Sequence, residues 1–483
     1  MNFFKVLFSL ILLSSIFIVF LGNSSCAVIV PPTGGPKDTL APRLVFANPR
    51  VSALHFSANK IVLTFDEYVD VKDVNTNLIV SPVPKVNPIV ESKLRTVTIR
   101  LKDSLQPNTT YTLDFGKAIR DVNEANILKN FSYSFSTGNY LDSMEYSGRV
   151  IVANTGKVDT TLIVMLHRNG DDSAVVKERP RYFTRVDSTG HFLFRHIAPG
   201  TFYLYALKDD AGSRRYLSKS SLFAFADSPV VVGPTSIPLT LYAYAEKDDG
   251  KTSGKSSGTK SSSGAKPDKQ KEKDKEKDKR LQFSTSIKNE RFDVLDTLYF
   301  QFPSPLKVFD SAQIRFTDEN YKDLGNYHYL HDSANKRITL VYKWLDVLDT
   351  RFHIIATKEF AQDSAGRKLL KTDTISFSTT KESDYGEVRL RFRNLDLSRH
   401  PVLQFVQTDN IKFSYPFTNS PIFRTRLFEP GEYELRILYD ANRNGVWDPG
   451  EFIGKHRQPE RVQTIRNKIN VKANWDNDKD ITL

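Results

Sequence analysis

Twelve consecutive residues place an oxygen donor at each position that a calcium-binding loop uses. Counting Asp440 as the first position, the third, fifth, seventh, ninth and twelfth are held by Asn442, Asn444, Val446 (through its main-chain carbonyl), Asp448 and Glu451. Gly445 occupies the sixth position, where the chain must turn sharply. Carboxylate and amide oxygens suit a hard cation, so the spacing predicts one calcium ion with a structural role.

The residues before this loop indicate a strand. Tyr433, Leu435, Ile437 and Tyr439 alternate with other residues directly into Asp440, and a period of two is typical of a β-strand. The loop therefore belongs to a β domain and not to a pair of EF-hand helices. A polar β-turn remains the alternative, because turns also favour Asp, Asn and Gly.

The same arrangement occurs earlier in the chain. Pro430-Gly431 precedes the strand and Asp440 follows nine residues after the glycine; Pro199-Gly200 and Asp209 repeat this spacing. This repetition predicts an internal duplication. In the earlier copy the other loop positions are occupied by Ala211, Ser213, Arg214, Leu217 and Ser220. We therefore expect that loop to keep the fold and not to bind calcium.

The first residues predict export. An apolar run from Val6 to Leu21 follows Lys5 and has the length of a signal-peptide core. Cys26, the only cysteine, follows Ser24 and Ser25, as expected for a signal peptide (1–25) that is cut before a lipidated cysteine. Asn23 stands where such motifs usually carry an aliphatic residue, so secretion after cleavage behind Ala27, or an uncleaved anchor, remains open.

This reading predicts an outer membrane lipoprotein, on the periplasmic face or the cell surface, held to the membrane by the lipid on Cys26. Residues 26–43 contain a Pro/Gly-rich run that would serve as a tether. The formal net charge of +12 does not indicate nucleic-acid binding in an exported protein. Residues 247–280 pass from Ser/Gly-rich to Lys/Glu/Asp-rich sequence and predict a solvated linker, with contact to anionic lipid as the alternative.

Two segments before that linker and two after it predict an all-β protein. Within 44–140, period-two runs are centred on Leu63, Ile99, Leu113 and Tyr133, separated by turn residues, which favours an antiparallel sandwich. Residues 145–246 contain further strands. The order then recurs in 281–380 and 385–483, so the fold class is tandem β-sandwiches in two copies of a two-domain unit.

The residues also resemble known families. The segments 61–67, 105–115, 119–121 and 131–138 are similar to the bacterial Ig-like domain of S-layer type (SbsA-like). Residues 186–200, with a predicted hairpin turn at 188–190 before Pro199-Gly200, resemble the transthyretin-like, carboxypeptidase-regulatory-like sandwich. The resemblance implies a structural or adhesive protein, with 281–380 a divergent second Ig-like domain and 385–483 a second transthyretin-like domain carrying the calcium loop.

No sequence motif for catalysis is present, such as a phosphate loop or a nucleophile elbow, so we predict no enzyme and no catalytic residues. Two function classes follow. The first is a scaffolding or adhesive β-rod that binds an envelope or surface protein; the second is a carbohydrate-binding or accessory component of a polymer-processing assembly, for which exposed aromatic platforms would be evidence.

A recurrent Asp-Ser or Asp-Thr pair is similar to an acceptor pattern for bacterial O-glycosylation. It occurs at Asp38, Asp103, Asp142, Asp296, Asp310, Asp332, Asp363 and Asp373. Ordinary turn chemistry before a strand is the equal alternative.

Overall fold

The computed structural model describes residues 37–246 and 280–483, and nearly all of their regular structure is β-strand. The predicted signal peptide, Cys26 and residues 247–279 of the predicted linker lie outside the described residues. The strands form four separate groups, called here the first to fourth units, because no sheet includes strands from two groups. The predicted all-β fold of tandem sandwiches is confirmed.

The first unit covers residues 44–136. Its strands are β1 (Leu44–Asn48), β2 (Lys60–Phe65), β3 (Val69–Val71), β4 (Ile79–Ser81), β5 (Ile89–Lys93), β6 (Thr96–Arg100), β7 (Thr110–Asp114), β8 (Ile119–Asp121) and β9 (Ser132–Ser136), with one helical turn, α1 (Val74–Asn77). They form the sheets β1-β2-β6-β5, β4-β7-β9 and β3-β8. The alternating residues predicted from the sequence, such as Leu63 and Ile99, fill the core.

The second unit covers residues 144–243. Its strands are β10 (Met144–Val152), β11 (Leu162–His167), β12 (Tyr182–Arg185), β13 (His191–Ile197), β14 (Gly200–Lys208), β15 (Phe223–Phe225), β16 (Val230–Val232) and β17 (Leu239–Ala243), with one helical turn, α2 (Ala174–Lys177). A three-stranded sheet β13-β10-β17 faces a five-stranded sheet β12-β11-β14-β15, in which β16 also pairs with β14.

The third unit covers residues 284–379. Its strands are β18 (Ser284–Thr285), β19 (Arg291–Phe292), β20 (Leu298–Gln301), β21 (Leu306–Phe309), β22 (Ile314–Asp318), β23 (His328–His331), β24 (Arg337–Val341), β25 (Arg351–Ala356), β26 (Ala361–Asp363) and β27 (Asp373–Thr379). Short 3-10 helices lie at Ser311–Gln313 and Trp344–Asp346, and another, Glu382–Asp384, follows the unit.

The fourth unit covers residues 386–482. Its strands are β28 (Gly386–Arg393), β29 (Pro401–Gln407), β30 (Asn410–Pro416), β31 (Ile422–Phe428), β32 (Gly431–Tyr439), β33 (Arg461–Thr464), β34 (Ile469–Val471) and β35 (Asp476–Thr482), with a 3-10 turn at Leu397–Arg399. Its sheets are β31-β28-β35 and β30-β29-β32-β33, with β34 paired to β32.

The second half of the chain repeats the topology of the first. Strand for strand, β10 to β17 match β28 to β35, including the parallel pairs β10–β17 and β28–β35. The first and third units match in the same way, except that β19 pairs in parallel with β27 where the first unit has a single parallel bridge between Ala53 and Phe135. The duplication inferred from spacing is therefore present in the sheets themselves.

The predicted hairpin at 188–190 is wrong. Strand β12 pairs with β11 in one sheet, whereas β13 pairs with β10 in the other. The turn residues therefore carry the chain from one sheet of the sandwich to the other. Asp187 stabilises this crossing, because its Oδ1 accepts the N–H groups of Thr189 at 2.8 Å and His191 at 2.9 Å. Turn residues indicate a change of direction, but not which strands become partners.

The central strands β11 and β29 of the five-stranded sheets are buried on both faces. Every residue of β11 is buried, and in β29 only the last residue is partly exposed. This explains their nearly continuous apolar sequences, since a strand covered on both sides has no polar face. In the second unit, residues on the outer face of this sheet, including Met165 and Tyr205, form an aromatic-rich cluster distinct from the sandwich core. Something outside the sandwich must cover that cluster.

Aspartates of the recurrent Asp-Ser and Asp-Thr pairs act as turn acceptors. Asp310 accepts the N–H of Ala312 at 2.9 Å, and Asp332 that of Lys336 at 2.7 Å. These contacts are the turn chemistry that the sequence offered as an alternative.

Among the described residues, no helix is long and apolar enough to cross a bilayer.

Candidate metal centre

The candidate loop starts where β32 ends, and its first residue is buried. Asp440 is 2% exposed. Its Oδ1 accepts the N–H of Asn444 at 3.2 Å and its Oδ2 that of Gly445 at 2.6 Å. Gly445 has a φ of +75°, the left-handed conformation that glycine adopts without strain. The first carboxylate therefore fixes the turn as well as offering oxygen.

Three further predicted ligands meet on the exposed side of the turn. The Nδ2 atoms of Asn442 and Asn444 each donate to Oδ2 of Asp448 at 2.7 Å. Their Oδ1 atoms accept the N–H groups of Asn444, at 3.1 Å, and Val446, at 2.7 Å. The structure thus brings together four of the predicted side chains, at positions one, three, five and nine.

The twelfth position is not brought to the others. The carboxylate of Glu451 pairs with Nζ of Lys455 at 2.9 Å, and this contact lowers the pKa of Glu451. Its main chain forms a two-way antiparallel bridge with Arg457, each N–H bonding the other's carbonyl at 2.8 Å. The Val446 side chain is exposed.

Glu460, which sequence reasoning missed, closes the loop instead. Its Oε1 accepts the N–H of Ala441 at 2.8 Å and its Oε2 that of Asp448 at 3.0 Å. Its carbonyl accepts Nε1 of Trp447 at 2.8 Å. Burial raises the pKa of Glu460 and nearby Asp440 adds to this effect, while its two N–H donors oppose it. Glu460 lies beyond any twelve-residue pattern, so spacing gave no signal for it.

The candidate ligands are carboxylate and amide oxygens, the donor atoms that suit a hard cation. Among the described residues, no three His, Cys, Asp or Glu side chains are arranged to hold a metal by themselves. A calcium ion here would therefore depend on the amide oxygens of Asn442 and Asn444 and on main-chain carbonyls, as is common for calcium. Asp440 and Asp448 would supply the charge, and Glu451 or Glu460 a further carboxylate.

The equivalent loop of the second unit has the same fold without those donors. Asp209 Oδ1 accepts the N–H of Ser213 and Oδ2 that of Arg214, both at 2.9 Å, which repeats the bonds of Asp440. Arg214 has a φ of +55°, the conformation of Gly445, and its guanidinium lies 4.1 Å from the ring centre of Phe183. The first aspartate is therefore a turn-forming residue in both copies, and only the later copy surrounds it with oxygen donors.

One segment of the chain matches the model of a known domain family. Residues 38–137, which include the first unit, match the model of the bacterial Ig-like domain. No curated protein sequence matches the chain.

Three solved structures also match the chain, each with low sequence identity and a low TM-score. Native alpha-2-macroglobulin from Escherichia coli, spanning domains MG0-NIE-MG1, is 12% identical, with 38% of this chain and 70% of that chain covered and a TM-score of 0.19. The major pilin subunit BcpA of Bacillus cereus is 9% identical, covering 70% and 99%, with a TM-score of 0.16. The S-layer protein rSbsC(31-844) is 14% identical, covering 90% and 41%, with a TM-score of 0.15.

Proposed function

We propose that this protein is a non-enzymatic, exported lipoprotein of the outer membrane or cell surface, whose β-sandwiches form a scaffold that binds an envelope or surface protein. The observation that carries the proposal is the duplicated pair of sandwiches, each packed directly on its neighbour. The match of residues 38–137 to the bacterial Ig-like domain supports a structural or adhesive role. The SbsA-like and transthyretin-like assignments, with the domain limits given above, are part of this proposal.

Contacts within each pair support a rigid scaffold. Between the first and second units, the N–H of Val83 donates to the carbonyl of Arg181 at 2.9 Å, and Arg179 donates to the carbonyl of Lys85 at 3.1 Å. Between the third and fourth units, Leu427 packs in the core of the third unit. The main-chain contact of Val83 and the core contact of Leu427 fix orientation better than exposed ion pairs, which contribute little.

The exposed aromatic residues favour the scaffold over a glycan-binding role. A glycan platform needs several rings on one face. The most exposed aromatic side chains of the described residues are distributed over the first, third and fourth units and their flanks: Phe46, Tyr68, Tyr140, Tyr321 and Trp475.

The partner proposal is tested by cross-linking in native envelopes. Lysine-reactive cross-linking followed by mass spectrometry should recover the same envelope protein joined to surface lysines of at least two units. Cross-links only within the chain, at a coverage that detects known envelope complexes, would contradict a scaffold role.

The anchor proposal is tested by metabolic labelling. A radiolabelled fatty acid should mark the wild type, whereas Cys26→Ser should remain unlabelled and leave the membrane fraction. A wild-type protein that carries no label and is recovered free in the medium would refute lipidation at Cys26.

We also propose that the loop from Asp440 to Glu451 binds one structural calcium ion, with Glu460 as an additional candidate ligand. The Nδ2 groups of Asn442 and Asn444 both reach the carboxylate of Asp448, which gathers three of the predicted ligand residues and supports this site. Bound calcium would link the end of β32 to the segment that begins at Phe452 and would stabilise the folded state by mass action.

A further inference from the structure

Residues 449–464, called here the clasp, comprise the segment that follows Asp448 together with strand β33 of the fourth unit, and they contact the outer face of the second unit. Phe452 is 2% exposed, although it has no place in the core of its own unit. Its ring centre lies 5.6 Å from that of Tyr205, 5.1 Å from that of Phe223 and 5.0 Å from that of Phe225. The clasp thus supplies the cover that the aromatic-rich cluster of the second unit requires.

Polar groups of the second unit surround this inserted ring. The carboxylate of Asp172 accepts the N–H of Gly454 at 3.0 Å and contacts Nε2 of His456. Burial raises the pKa of Asp172, but these two donors outweigh burial and hold the pKa below its usual range. Gln458 donates to the carbonyl of Phe225 at 3.0 Å. The contact therefore has an apolar centre and a hydrogen-bonded rim, the arrangement of a specific protein interface.

Glycines on both sides permit a close approach. A Cβ atom added to Gly450 would lie 2.6 Å from Cζ of Tyr244 in the second unit. A Cβ added to Gly156 of the second unit would lie 2.7 Å from the carbonyl oxygen of Val462. Next to Gly156, the N–H of Val462 donates to the carbonyl of Ala153 at 2.9 Å. Main chains in direct contact leave no room for a layer of solvent between the units.

A charged group completes the contact. Nζ of Lys157 in the second unit lies 3.0 Å from Asp409 and 3.1 Å from Glu434 of the fourth unit. Arg436, which is buried, bonds the same two carboxylates at 3.3 Å and 2.7 Å. The two cations and two anions alternate, so replacing Lys157 by an acid would bring three carboxylates together.

From these contacts we infer that the clasp is an interaction site in its own right: it holds the N-terminal half of the chain (37–246) to the C-terminal half (280–483) without help from residues 247–279. The occupant of the aromatic surface on the second unit is the clasp of the same chain. Phe452 is the anchor, because it alone contacts all three aromatic rings at the centre, where truncation of an interface residue is most costly. This inference rests on the contacts of Phe452 and Lys157 and not on the scaffold or calcium proposals, although Glu451 and Glu460 belong to both the clasp and the candidate metal centre.

The test uses the full-length chain with a site-specific protease sequence inserted within 250–270. Before cleavage, the protein should have the mass of one chain, since a dimer would identify a second copy as the occupant and overturn the inference. After cleavage, the two halves should co-elute in size-exclusion chromatography as a one-to-one complex at micromolar concentration. Halves that elute separately would also overturn it.

Variants distinguish the anchor from a general effect on folding. Phe452→Ala should weaken the association of the cleaved halves by about 30-fold or more, the range of an interface anchor. Trp475→Ala is the matched control, because Trp475 is 63% exposed in the same unit and, among the described residues, its ring stacks with Lys472. Lys157→Glu, on the other half, should also weaken association and does not depend on Phe452→Ala folding. Co-elution that neither substitution weakens would refute the assignment.

Discussion

Calcium should stabilise the fourth unit through Asp440, and the earlier copy of the loop provides a control. The loop resembles extracellular calcium modules in charge, so about 10 mM calcium over a Kd of 10⁻⁴ to 10⁻³ M should contribute about 1.4–2.7 kcal/mol. For a unit of about 100 residues this corresponds to a rise in Tm of about 10 °C. Trp447, which lies within the loop and donates to the carbonyl of Glu460, is the fluorescence probe, in a background where Trp344 and Trp475 are Phe.

Two aspartate substitutions separate the metal from the turn. Asp440→Ala and Asp209→Ala each remove a carboxylate that accepts two main-chain N–H bonds. Each should therefore cost its own unit about 3 kcal/mol in a chelator, because hydrogen bonds to a charged group are worth about 1.5 kcal/mol or more apiece. Only Asp440→Ala should also abolish the calcium-dependent rise; Asp209→Ala should retain it.

The result that refutes the metal site is equally direct. If the wild-type transition reported by Trp447 is the same in chelator and in about 10 mM calcium, the loop is a polar turn closed by its own hydrogen bonds. A rise that magnesium reproduces at the same concentration would also contradict the proposal, because a flexible loop with several ligands should favour the larger ion.

Three further outcomes are expected. Limited trypsin digestion should cut first within 247–280, because a Ser/Gly/Lys-rich run buries too little apolar surface to fold; gel analysis showing earlier cuts inside a unit would contradict the domain limits. In denaturant titrations, Gly445→Ala should cost about 1 kcal/mol from its φ of +75° alone, since nothing lies within 4 Å, whereas Gly450→Ala should cost more because it meets Tyr244. Burial raises the pKa of Asp121, but three main-chain N–H bonds hold this pKa below its usual value. The stabilisation that the Asp121 carboxylate gives the first unit is therefore complete above the unfolded pKa of about 3.9 and is lost as the pH falls through the folded pKa. Asp121→Asn should flatten the dependence of the first unit's Tm on acidic pH.

Strands with a clear period of two were predictable from the sequence, because one face of each is buried. The runs centred on Leu63, Ile99, Leu113 and Tyr133 became β2, β6, β7 and β9. Shorter strands such as β3 and β8, of three residues each, were not found, since three residues cannot display a period. The hairpin at 188–190 failed for another reason: turn chemistry does not specify whether the chain returns to the same sheet.

The candidate metal centre was predictable only within its local loop. Asp440, Asn442, Asn444 and Asp448 follow a fixed spacing, and the folded loop keeps them together. Glu460 reaches the loop because β33 pairs with β32 next to it, a contact between strands that spacing cannot describe. Phe452 presented the same difficulty, because its aromatic partners lie more than two hundred residues away in the chain.

The order in which the units touch differs from their order along the chain: the second unit contacts the fourth through the clasp, while the third follows 247–279. A pull applied between the N-terminus and the C-terminus would therefore travel from the first unit to the second and across the clasp to the fourth. The third unit and residues 247–279 would carry no tension until the clasp ruptures. Once the clasp ruptures, those 33 residues could lengthen the distance between the two halves by up to about 110 Å while the chain stays covalently intact. Until that rupture, the clasp would be the contact that carries the load between the two halves of the chain.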